Sequence, residues 1–96
     1  MKLIYGDCGS GKTKQILELS CKTKTPILCE SDQRKQRLLE KAKGYGINIP
    51  IPIVYTEGCE GRDVLVDDPK RLLEAMLHAN LVGLTVNVPI DDVTKL

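Results

Sequence analysis

Apolar residues fall along the chain in two alternating rhythms. Short runs, Leu3-Ile4-Tyr5, Ile27-Leu28-Cys29, Val64-Leu65-Val66 and Leu81 to Val88, are separated by longer stretches in which apolar positions recur every three or four residues. The first rhythm predicts strands and the second helices. Their alternation from end to end predicts an α/β domain with a mostly parallel central sheet. A first strand is expected over 2–5 and a first helix over 12–21, with Ile16, Leu17 and Leu19 supplying its inner face. Ser31 or Asp32 is a candidate N-cap for a second helix that carries Leu38, Leu39 and Ala42 inward and stops at Gly44. Pro69 suits the first turn of a third helix, in which Leu72, Leu73, Met76 and Leu77 share the inner face.

Two segments carry weaker signals. Ile47, Ile49, Ile51 and Ile53 alternate with Pro50 and Pro52 interposed, and two residues without an N–H restrict such a piece to an edge strand or an extended loop. The run Leu81 to Val88 is expected as a last strand, broken by Pro89, leaving 90–96 as a frayed or short capping tail.

Composition narrows the class. Ninety-six residues make one small domain, and its apolar content is almost wholly Ile, Leu and Val, with three tyrosines and neither Phe nor Trp. Branched aliphatics suit a parallel sheet buried on both faces. The net charge of +1 gives no general attraction to nucleic acid. The charge is unevenly spread, with Lys12, Lys14, Arg34, Lys35, Arg37 and Lys41 in the first half and Asp63, Asp67, Asp68, Asp91 and Asp92 in the second. Two solvated faces of opposite sign explain this most simply; a basic groove for nucleic acid is the alternative.

Cys8, Cys21, Cys29 and Cys59 form no C-x-x-C pair and His78 is the single histidine, so zinc lacks its usual ligand spacing. No apolar leader and no membrane-length apolar run are present, which predicts a cytoplasmic protein with reduced thiols and no membrane partner.

The chemistry concentrates at Gly6-Asp7-Cys8-Gly9-Ser10-Gly11-Lys12-Thr13, a full match to G-x-x-x-x-G-K-[ST] directly after the first strand and at the start of the first helix. Glycines let the backbone wrap close to phosphates and aim N–H groups at their oxygens. Lys12 adds a mobile positive charge, and the Thr13 hydroxyl is a ligand for Mg²⁺. Lys14 follows within reach of the same phosphates. A chance glycine-rich turn is the competing reading, and the flanking strand and helix disfavour it.

Val64-Leu65-Val66-Asp67-Asp68 resembles the Walker B motif, an apolar strand closing on an acid. In a parallel sheet the carboxyl ends of strands share one crevice, so Asp67 can come close to a magnesium held by Thr13.

Together these features resemble a P-loop NTPase of the additional-strand class, the broad class of AAA+ ATPases, helicases and recombinase-like ATPases. The resemblance spans most of the chain. It implies a three-layer sandwich truncated after the sensor-like strand, with ATP and Mg²⁺ as cofactors and phosphoanhydride hydrolysis as the reaction. By the same resemblance, Asp68 aligns the attacking water and Asn87, with Thr85 as its neighbour, stands at the polar sensor position. The class usually carries glutamate where Asp68 stands, one methylene longer, which predicts slow hydrolysis. No Asn-Lys-x-Asp run reads guanine, so ATP is expected over GTP.

No arginine finger lies within the motifs. Arg34, Arg37, Arg62 or Arg71 could serve a neighbour in a homo-oligomer, or simply keep the surface soluble. DNA or a replication protein is the partner expected by analogy alone. So small a form fits a phage or mobile-element protein acting in the host cytoplasm. Two other functions stay open: a nucleoside or nucleotide kinase, whose relatives carry a lid and often a zinc lobe for which this chain has no room, and a nucleotide-gated binding module with little turnover.

Overall fold

Every strand of the chain runs parallel to its neighbour. The computed structural model describes residues 1–96, in the order β1 (Leu3–Tyr5), α1 (Lys12–Thr23), β2 (Ile27–Cys29), α2 (Asp32–Tyr45), β3 (Ile53–Val54), β4 (Leu65–Val66), α3 (Pro69–Leu77) and β5 (Val93–Lys95), with single 3₁₀ turns at Tyr55–Glu57 and Ile90–Asp92. Three strands form one sheet in the order β3-β2-β4, and β1 pairs with β5 in a second. The chain is thus an α/β fold with parallel strands in two small sheets. No helix is long and apolar enough to cross a membrane.

The centre is β2, whose three residues are all buried. Side chains alternate across a strand, so burial of all three means that both faces are covered. Ile27 and Cys29 pack with Leu17 of α1, Leu38 and Ala42 of α2 and Val54 of β3. Leu28 points the other way and meets Ile53 and Leu72 of α3. Helices α1 and α2 therefore cover one face and α3 the other.

Local chemistry fixes the joints. Ser20 is fully buried and donates from Oγ to the Thr25 carbonyl at 2.6 Å, tying the end of α1 to the entry of β2. Ser31 caps α2 by accepting the Arg34 N–H at 3.1 Å. The Glu57 carboxylate accepts the Val54 N–H at 2.9 Å and pairs with Lys35 at 3.4 Å, pinning the end of β3 to α2.

Four expectations need correction. Helix α1 runs on to Thr23, two residues beyond Cys21. Helix α2 passes through Gly44 and ends at Tyr45, because Gly46 and not Gly44 takes the left-handed φ of 71° and sends its N–H to the Ala42 and Lys43 carbonyls. The tail is not frayed: β5 pairs along β1 in the register Leu3↔Val93 to Tyr5↔Lys95, and the Leu96 N–H reaches the Tyr5 carbonyl at 2.8 Å.

Leu81 to Val88 forms no strand. The Leu81 N–H is taken by the Glu74 carboxylate at 2.8 Å, Val82 is 97 % exposed, and Gly83 interrupts the run with no side chain to pack. The sequence-predicted last strand thus lies outside both sheets, and the ladder it was expected to supply is carried by Val93–Lys95 beside β1.

Candidate functional site

The carboxyl ends of β1, β2 and β4 feed the loop 6–11, the first turn of α2 and the pair Asp67-Asp68, and all three line one open groove of about 830 Å³. Ligands of parallel α/β sheets bind at this edge.

The loop is shaped by its glycines. Gly9 and Gly11 hold left-handed φ values of 82° and 92°, and the Ser10 N–H closes a turn on the Asp7 carbonyl at 3.1 Å. Gly6 has no room for a side chain: a Cβ there would stand 2.6 Å from Ser10 Oγ and 2.9 Å from the Leu96 carbonyl oxygen. Lys12 folds back over the loop, its ammonium donating to the carbonyls of Gly6 at 2.7 Å and Asp7 at 2.5 Å and lying 3.4 Å from Ser10 Oγ. Helix α1 begins with no side-chain cap and no acidic residue in its first turn. Its leading N–H groups and the positive end of its dipole are left to the groove.

Thr13 and Asp67 meet across the sheet edge. The Thr13 hydroxyl donates to Asp67 Oδ2 at 3.1 Å, and the same oxygen accepts Arg34 Nη2 at 2.7 Å. The Arg34 and Asp67 side chains are 14 % and 11 % exposed, the most buried ion pair of the chain.

Asp68 lies in the groove lining too, but its carboxylate is engaged. At a left-handed φ of 61° it caps α3, with Oδ1 3.4 Å from the Arg71 N–H and Oδ2 3.2 Å from Arg71 Nε.

The structure brings Gly6, Cys8, Gly9, Gly11, Lys12, Thr13, Lys14, Asp67 and Asp68 to the groove. Asp7 and Ser10 are outside its lining and shape the loop from within. Asn87 and Thr85 are exposed on the unpaired segment and do not reach the groove. Three residues of α2 do: Arg34, Lys41 and Tyr45, spaced to share one helical face. Lys14 sits over the Tyr45 ring, 5.4 Å from its centroid, which joins that face to the start of α1. Their spacing was visible in the sequence, but the basic residues of this helix were equally compatible with a solvated surface.

Comparisons with protein families, curated proteins and solved structures find no match to this chain. No three His, Cys, Asp or Glu side chains gather to hold a metal by themselves. Thr13 Oγ1 and Asp67, hard oxygen donors in contact, suit Mg²⁺ instead, which is commonly held by one or two carboxylates together with phosphate oxygens and water.

Proposed function

We propose that the chain is a P-loop nucleotide-binding domain that takes a magnesium nucleoside triphosphate, ATP in preference to GTP, and hydrolyses it slowly. The observation that carries this reading is the contact of Thr13 with Asp67 at 3.1 Å, which joins the end of a complete G-x-x-x-x-G-K-T loop to a strand-end carboxylate from far along the chain. A chance glycine-rich turn has no reason to meet such a partner.

In this reading the loop N–H groups around Gly9 and Gly11 and the uncapped start of α1 hold the phosphates. Lys12 exchanges its loop carbonyls for β and γ oxygens. Thr13 and Asp67 hold Mg²⁺, which neutralises charge on the phosphate oxygens when bound. Asp68 takes the water-orienting role in this reading, and to do so it must give up its bonds to Arg71. That competition, added to its short side chain, supports slow turnover. It equally favours a second reading, a nucleotide-gated module that binds without appreciable hydrolysis.

A fluorescent ATP analogue titrated with and without Mg²⁺, alongside phosphate release from ATP and GTP, tests the proposal. Saturable Mg²⁺-dependent binding that Lys12→Ala abolishes is expected, with phosphate release lost in Asp68→Asn while binding remains. Binding without release in the unaltered protein selects the module. No saturable binding at millimolar nucleotide overturns both readings.

A further inference from the structure

We propose that Arg34 is an arginine supplied in cis: in the free protein it stands in for the metal at Asp67, and when a metal–triphosphate enters it passes to the terminal phosphate. The inference rests on the nucleotide reading above and adds a residue and a switching step to it.

Three observations carry it. First, Asp67 Oδ2 serves two donors at once, the Thr13 hydroxyl and the Arg34 guanidinium, so the carboxylate fitted to hold a divalent cation is already neutralised by an internal one. A metal ion arriving beside Thr13 and Asp67 meets a like charge in hydrogen-bond contact with its ligand, and the guanidinium must yield. The hydroxyl need not, since oxygen can ligate through a lone pair while its hydrogen stays on Asp67.

Second, Arg34 has somewhere to go. It lines the same groove as Lys12 and Gly9, and the bond to Asp67 is its side chain's one hydrogen bond to the protein, leaving the rest of its donor fork for an acceptor in the groove. A planar fork of N–H donors is matched to phosphate oxygens.

Third, its root is fixed independently of its head. Ser31 accepts the Arg34 N–H at 3.1 Å and so sets the backbone in the first turn of α2, at the strand edge where the loop also opens. Moving the guanidinium off the carboxylate therefore takes rotation of its side chain, with the helix backbone left in place.

The two-position arginine makes two predictions that a purely structural ion pair does not. In the absence of nucleotide, Mn²⁺ and Arg34 compete for Asp67. With Mg²⁺ present, Arg34 favours a triphosphate over a diphosphate, because only the former offers the terminal group. The test uses the full chain and its Arg34→Gln and Arg34→Lys variants. Mn²⁺ binding is followed by electron paramagnetic resonance without nucleotide, and ATP and ADP affinities are measured with Mg²⁺.

Arg34→Gln is expected to bind Mn²⁺ on the order of tenfold more tightly than the unaltered protein, an effect abolished by adding Asp67→Asn, and to lose on the order of tenfold in its preference for ATP over ADP. Unchanged or weaker Mn²⁺ binding overturns the proposal, as does an unchanged ATP-to-ADP ratio. Should Arg34→Gln fail to fold, Arg34→Lys decides: it keeps the charge but not the fork, so a severalfold fall in the ratio supports the proposal and an unchanged ratio overturns it. If the unaltered protein binds ATP but the variants behave like it, only the role of Arg34 falls. If it binds no nucleotide, the underlying reading falls with it.

Discussion

The Thr13 hydroxyl and Asp67 Oδ2 lie 3.1 Å apart, joining the first turn of α1 to the end of β4. Neither residue is exposed; Thr13 lies on α1, packed into the core through Leu17, and Asp67 directly follows β4, packed there through Leu65. The contact therefore has a structural and a chemical consequence. Thr13→Val keeps the shape and removes the donor, while Asp67 retains Arg34 as a partner. It is expected to lower unfolding stability by about 1 kcal/mol, the net worth of one hydrogen bond. It should also erase the gain in nucleotide affinity that Mg²⁺ gives, whereas Thr13→Ser should retain it. Denaturant unfolding and nucleotide titration with and without Mg²⁺ measure the two effects. A Thr13→Val protein whose affinity still rises with Mg²⁺ would remove Thr13 from the metal site.

What was legible beforehand follows from the range of the interactions. The loop Gly6 to Thr13, the start of α3 at Pro69 and the inward faces of the helices are local, written in adjacent residues or at fixed helical spacing. Pairing is not local. Val93-Thr94-Lys95 has no strand-like pattern strong enough to announce itself, and it becomes β5 only because β1 offers an edge. Leu81 to Val88 has the pattern and stays unpaired, since propensity without a ladder partner does not make a strand. Gly44 is the stop that the sequence suggests for α2, but Gly46 is the glycine that takes positive φ and ends the helix. The approach of Arg34 to Asp67 depends on how β2 and β4 lie side by side, a register that no single stretch of sequence contains.

The unpaired segment separates two kinds of apolar residue. Leu17 is fully buried in the main core cluster, whereas Val82 is 97 % exposed. Leu17→Ala should cost about 2–5 kcal/mol through lost transfer energy and the cavity left behind. Val82→Ala should change stability by less than about 0.5 kcal/mol, as is usual for surface positions. Urea midpoints at constant m-value compare the two. A cost at Val82 approaching that at Leu17 would mean that the segment packs in solution.

Acid should weaken the fold through two carboxylates at chain joints. The Val54 N–H, helped by Lys35, holds the Glu57 carboxyl below its usual 4.5. The Leu81 N–H and Lys70 do the same for Glu74. A depressed folded-state value means that the ionised form is favoured by folding, so the stabilisation is complete above the unfolded value and is lost as pH falls through the folded one. Stability should be flat with respect to these groups above about pH 5 and decline below about pH 4.5. The double variant Glu57→Gln, Glu74→Gln should be less stable at neutral pH but lose less between about pH 6 and pH 3, measured by urea unfolding at each pH. Parallel pH profiles for the two proteins would assign the acid sensitivity to other groups.

The four cysteines report on both core and site. Cys8 is exposed in the loop, Cys21 and Cys59 are half-buried, and Cys29 is buried in β2, where loss of solvation pushes its thiol above the ordinary 9.0. Since the thiolate is the reactive form, iodoacetamide at neutral pH should modify Cys8 first and Cys29 last, with the rates read by mass spectrometry of the peptides. Bound nucleotide should bury Cys8 beneath the phosphates, so saturating Mg²⁺-ATP should slow its alkylation on the order of tenfold and leave Cys21 and Cys59 nearly unchanged. Cys29 reacting as fast as Cys8 would contradict the closed faces of β2. Cys8, which lines the groove, reacting at the same rate with ATP demonstrably bound would place the nucleotide away from that side of the loop.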